Sequence, residues 1–157
     1  MPESSVDLRQ DANYRFAIRF SADLPVLQAD EPAPLGEGAG PSPVQLLSAA
    51  VGNCLSASLV FALRKFKQSA EPIGAQVDAT VGRNENNRLR VQQLHVRLTL
   101  GVAARSLDHL DKVLAQFEEF CTVTQSIRAA IRVDVEVRDS EGTLLSGSGV
   151  SMAAMQS

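Results

Sequence analysis

The chain has 157 residues, enough for one domain with a real core. Its 45% hydrophobic content is ordinary for a globular protein, and one Tyr with no Trp leaves Leu, Val, Ala and Phe to fill that core. A net charge of −3 without dense Lys/Arg clusters argues against a nucleic-acid partner. No apolar stretch approaches the about eighteen residues of a membrane helix, and Met1–Ser5 lacks the basic-then-apolar pattern of a signal peptide. A cytoplasmic protein that does not engage a membrane is expected.

Residues 1–12 are polar and without period, which predicts a loose arm. From Tyr14 to Phe20, Tyr14, Phe16, Ile18 and Phe20 alternate with Arg15, Ala17 and Arg19, the pattern of a half-buried strand. A short extended piece near Leu24–Gln28 can pair with it. Residues 29–43 hold three Gly and four Pro and read as a surface loop. Ser42 then suits an N-cap and Pro43 a first helical position, predicting a long helix from Pro43 to about Gln68. Leu47, Ala50, Val51, Cys54, Ser58 and Phe61 share a face of it, and the small residues from Ser48 to Ser58 invite close approach of other backbone.

Ile73–Val81 and Leu89–Leu100 predict a hairpin about the turn at residues 84–87. Ser106 can cap a second helix with Leu107, Leu110, Leu114, Phe117 and Phe120 as its apolar stripe, and Cys121 falls where that helix ends or bends. A further helical turn over residues 124–130, a strand from Ile131 to Val137 and a short strand at 143–145 complete the order, and the tail from Gly147 is expected to fray. Strands and helices in this order fit an α+β fold with helices on one side of an antiparallel sheet.

The chemistry rests on the two cysteines. Cys54 and Cys121 cannot make a disulfide scaffold for a chain this long, so two free thiols are the default, and buried small hydrophobes are the bland reading. A mid-helix Cys54 gains little from the helix dipole, so its activation must come from a guanidinium or a hydrogen bond. If the second helix brings Cys121 over Cys54, one thiolate can attack a peroxide and the other thiol can condense with the sulfenic acid. Cys54, Cys121, His95 and His109 lack the short spacing of a metal site, and Gly36, Gly38 and Gly40 lack the Lys and Ser/Thr of a phosphate loop. Neither a metal nor a cofactor is expected.

In Gly40–Cys54, with Pro43 leading a helix whose cysteine comes about ten residues along, and again in Glu119–Ser126 around Cys121, the chain resembles the OsmC/Ohr superfamily. The resemblance extends over roughly residues 14–137. It implies a single OsmC-like domain over residues 1–157, with an antiparallel sheet packed on a long central helix in an intertwined homodimer. It further implies thiol-dependent reduction of organic hydroperoxides, with Cys54 peroxidatic, Cys121 resolving, and an arginine from the N-terminal strand, Arg19 in preference to Arg15, activating Cys54. The reductant it implies is a dithiol such as a lipoylated protein. Two positions depart from the pattern. Val44 stands where a glutamate usually orients the arginine, and Gln45 beside it points about 100° away around the helix. Thr122 stands where proline commonly follows the second cysteine. The missing carboxylate keeps an alternative open: a non-catalytic small-molecule binding or stress-response protein on the same fold.

Overall fold

A computed structural model describes residues 3–147; the tail expected to fray lies outside these from residue 148 onward. The chain forms two compact units, one running to Leu47 and one from Ser48.

The first unit carries a three-stranded antiparallel sheet of β1 (Asp7–Ala12), β2 (Arg15–Arg19) and β3 (Leu27–Ala29), in the order β1-β2-β3. β2 and β3 lie where alternation predicts them. β1 replaces the expected loose arm. Every residue of β1 is exposed, so no buried face imposes an alternation that could be read, and backbone pairing to β2 alone defines the strand. The turn between them uses Asn13 at φ 50°, a conformation that asparagine tolerates better than most residues. Of the apolar set expected to be half-buried in β2, Ile18 is buried, whereas Tyr14, Phe16 and Phe20 remain exposed in the single chain.

The Pro/Gly-rich loop after β3 is folded around one buried carboxylate. Asp30 accepts hydrogen bonds from the backbone N–H groups of Glu31 (2.8 Å), Glu37 (3.2 Å) and Ala39 (3.1 Å). Glycine is required beside it: a Cβ on Gly40 would stand 1.9 Å from the Gln28 carbonyl oxygen, and one on Gly36 would stand 2.1 Å from that of Glu31.

α1 (Pro43–Lys65) starts where its capping residues predict. The Gln45 N–H donates to Ser42 Oγ (3.2 Å) and the Ser42 N–H donates to Gln45 Oε1 (2.9 Å), a reciprocal cap. The helix stops short of Gln68 because Lys67 adopts a left-handed φ of 57°. By length and composition α1 can cross a membrane, contrary to the expectation from consecutive apolar residues. Val51, Leu55, Leu59, Ala62 and Leu63 are nevertheless buried within the chain and form its inward stripe. The buried stripe is rotated from the predicted one, and Ala50 and Phe61 face outward. With apolar residues all round the helix, periodicity alone could not choose its inner face.

The second unit has a four-stranded sheet of β4 (Gly74–Arg83), β5 (Leu89–Thr99), β6 (Arg132–Arg138) and β7 (Leu144–Gly147), in that order. The expected antiparallel sheet is corrected at one pair, since β5 and β6 run parallel. The long helical segment between them supplies the crossover that a parallel neighbour requires. Leu94, Val96 and Leu98 of β5 and Val133, Val135 and Val137 of β6 are buried at alternate positions. On α1 the close approach allowed by a small residue is made by a side chain: a Cβ on Gly52 would meet Val77 Cγ2 of β4 at 2.8 Å.

The crossover is broken where one helix was expected. It comprises a 3-10 turn (Ala104–Ser106), α2 (Leu110–Gln116), a second 3-10 turn (Phe117–Phe120) and α3 (Thr122–Ile127). Ser106 does not cap α2; its hydroxyl donates to the Ala103 carbonyl, and His109 at φ 58° precedes the helix instead.

Asp139 repeats the device of Asp30 in the last turn. It accepts the N–H groups of Ala104 (3.0 Å), Glu141 (3.0 Å) and Thr143 (2.9 Å), tying the crossover to the β6–β7 connection. These bonds, that from Ala104 first, hold its carboxyl below the usual carboxylate range. A depressed folded-state pKa contributes stability above the unfolded value and loses it as pH falls through the folded value. Asp139→Asn should therefore lower the melting temperature at pH 7, and the gap to wild type should close below about pH 4. A gap independent of pH in thermal melts from pH 7 to pH 2 would contradict this.

Candidate active site

Cys54 sits in the middle of α1, half-buried, and its carbonyl accepts the Ser58 hydroxyl at 2.8 Å. Cys121 is fully buried at the break between the Phe117–Phe120 turn and α3, where it forms the N-cap of α3. That break gives the cysteine an extended backbone (φ −85°, ψ 93°) and turns its side chain back along the start of α3. The sulfur accepts the Thr124 N–H at 3.4 Å, and the thiol hydrogen-bonds to Thr124 Oγ1 at 3.0 Å. Thr124 is itself fully buried.

The two cysteines, far apart in sequence, come close here, near enough for Cys54 to act on the Cys121 thiol. Burial pushes the Cys121 thiol up most, and the neighbouring Cys54 pushes it further, against the lowering effect of the Thr124 hydroxyl and N–H. At neutral pH Cys121 is accordingly a neutral thiol beside Cys54.

Beside Cys54 opens an apolar concavity of about 390 Å³ lined by Cys54, Ala57, Ser58, Phe61 and Phe120. Phe61 and Phe120 pack edge to face with centroids 5.0 Å apart. The Lys65 ammonium lies 5.1 Å from the Phe120 ring centroid and 3.4 Å from Gln116 Oε1. Phe117 is fully buried while Phe120 is partly exposed, which separates a core phenylalanine from a cleft-lining one.

Arg15 and Arg19 lie on β2 in the first unit. Arg15 pairs with Asp11 at 3.1 Å, and its charge adds to the hydrogen bonds that hold the Asp30 carboxyl down. Arg19 is exposed and lines a shallow groove with Asp7, Arg9 and Val26. Gln45, next to Val44, is committed to the α1 cap. His95 pairs with Glu136 at 3.5 Å on the sheet, and His109 stacks against Phe66. Thr124 is the residue that sequence reasoning did not assign. Its signal was the Cys-x-x-Thr spacing of a cap residue and the third position of a helix. Among the two thiols, a soluble alkylating reagent at neutral pH should label Cys54 first, with Cys121 following only on unfolding. Peptide mapping that finds equal early labelling would contradict the geometry.

Residues 36–136, which include both cysteines, match the family model described as OsmC-like protein. None of the curated proteins matches the chain. Solved structures share its α+β fold. A proposed osmotic stress induced and detoxification response protein from Psychrobacter arcticus 273-4 is 20% identical, with a TM-score of 0.73 over 87% of this chain and 97% of that one. An OsmC-like protein of unknown function from Vibrio cholerae O1 biovar eltor is 18% identical, with a TM-score of 0.72 over 87% and 99%. An organic hydroperoxide resistance protein OsmC from Legionella pneumophila is 18% identical, with a TM-score of 0.68 over 89% and 98%. At these identities the structures speak for the fold, and the match to the family model, which spans most of the chain, makes it a member of the OsmC-like protein family.

Proposed function

We propose that this chain is a cytoplasmic thiol-dependent peroxidase that reduces organic hydroperoxides, with Cys54 as the peroxidatic and Cys121 as the resolving cysteine. The observation that carries this reading is the closeness of the buried Cys121 thiol to Cys54, which lines an apolar cleft. The Cys54 thiolate attacks the terminal peroxide oxygen and the O–O bond breaks. Cys54 becomes a sulfenic acid, and the alkoxide leaves and takes up a proton from water as the alcohol. Cys121 then attacks the Cys54 sulfur, the S–O bond breaks, and the hydroxyl departs with the Cys121 proton as water, leaving a disulfide. An external dithiol, such as a lipoylated protein, returns both cysteines to thiols and is itself oxidised to a disulfide.

The lining of Ala57, Phe61 and Phe120 suits an alkyl or aryl substituent on the peroxide better than hydrogen peroxide. The positive charge that favours a thiolate at Cys54 is assigned to β2, to Arg19 in preference to Arg15, because Arg15 is already paired with Asp11. A homodimer belongs to the same reading. Ala50, Ala57 and Phe61 are exposed on α1, and Phe61 is 55% exposed, an apolar face suited to a second copy. Phe61→Glu should shift the protein from dimer to monomer in sedimentation equilibrium; a monomeric wild type would refute the dimer.

Stopped-flow oxidation of the reduced protein tests the chemistry. Cumene hydroperoxide should react about tenfold or more faster than hydrogen peroxide, the scale expected for burying an aromatic group. Cys54→Ser should abolish the reaction, and Cys121→Ser should stop it at a Cys54 sulfenic acid detectable by mass spectrometry. Oxidation no faster than that of a free thiol would refute the peroxidase. It would favour the non-catalytic binding protein, the reading to which Val44 lends support by removing the carboxylate that orients the arginine.

A further inference from the structure

The resolving step has its own requirement, which rests on the peroxidase reading: a fully buried thiol must give up its proton only after its partner has been oxidised. Two groups besides Cys54 act on the Cys121 sulfur, and both belong to Thr124. Its hydroxyl oxygen lies 3.0 Å from Sγ and its backbone nitrogen 3.4 Å away, both buried. The hydroxyl is the versatile one, because it can accept from a thiol or rotate and donate to a thiolate. We propose that Thr124 is a positioning residue for the resolving cysteine, its hydroxyl accepting the Cys121 S–H before peroxide arrives and donating to the Cys121 sulfur as that sulfur attacks the Cys54 sulfenic acid.

The order of events follows from the neighbours. While Cys54 is a thiolate, its charge keeps Cys121 neutral, so the two sulfurs do not ionise together. Oxidation turns Cys54 into an uncharged sulfenic acid and removes that opposition. Burial still resists the Cys121 thiolate, and the Thr124 hydroxyl and N–H are the donors that offset it. The Cys121 proton leaves with the sulfenic hydroxyl as water, so the threonine keeps its own proton through the cycle. The backbone N–H is available with any side chain at position 124, whereas the hydroxyl is not.

The test separates the two steps by rapid mixing with cumene hydroperoxide. Sulfenic acid formation is followed by trapping, and disulfide formation by quenched mass analysis. Thr124→Val removes the hydroxyl at similar volume. It should leave the first step within about twofold and slow disulfide formation about tenfold, the scale of one hydrogen bond to a charged group. Thr124→Ser, which restores the hydroxyl, should restore the rate. If Thr124→Val fails to fold by circular dichroism, Thr124→Ala takes its place with the same expectation. Disulfide formation at the wild-type rate in the variant without a hydroxyl would overturn the proposal, as would a serine variant as slow as the valine. A wild type that forms no Cys54 sulfenic acid would overturn the peroxidase reading beneath it, and is told apart by the missing first step.

Discussion

The Cys121 thiol is closed off from water, hydrogen-bonded to Thr124 and close to Cys54. A buried sulfur with one proton to place has few ways to satisfy itself, so this three-residue contact fixes much around it. α1 must present Cys54 inward enough to be reached yet leave it beside the cleft. The crossover must break before Cys121, so that the sulfur turns back onto the start of α3 rather than running on along a helix. The two short pieces α2 and α3, separated by a 3-10 turn, are the form that this break takes.

The same break sorts the phenylalanines. Phe117, one residue beyond α2, goes to the core, and Phe120, just before the cysteine, goes to the cleft wall against Phe61. An uninterrupted helix would put the two on neighbouring positions of one face and bury or expose them together. The apolar cleft beside Cys54 is therefore a product of the helix break as much as of the residues that line it.

Buried carboxylates do the corresponding work in the loops. Asp30 gathers the N–H groups of the Pro/Gly-rich loop before α1, and Asp139 gathers those of the last turn and of the segment leading to α2. Each satisfies backbone donors that a loop without regular pairing would otherwise leave to water. In the first unit this lets a segment with three glycines and four prolines hold one path to the cap at Ser42.

Much was legible because it is local. The Ser42 cap, the Pro43 start, the alternation of β2, β5 and β6, and the turn residues between β4 and β5 each act over a few positions, and each stands where the residues indicate. Other features are not local. β1 has no buried face to betray it, and the strand it pairs with is β2. The inner face of α1 could not be read from a helix that is apolar all round. The parallel pairing of β5 with β6 depends on where the crossover returns. The two cysteine motifs were visible one by one, and with them the resemblance to the family. That Cys54 and Cys121 come close, that Cys121 is the buried neutral partner, and that Thr124 rather than Thr122 holds it were decided by packing, because the approach of groups 67 positions apart leaves no trace in the spacing of either (121 minus 54).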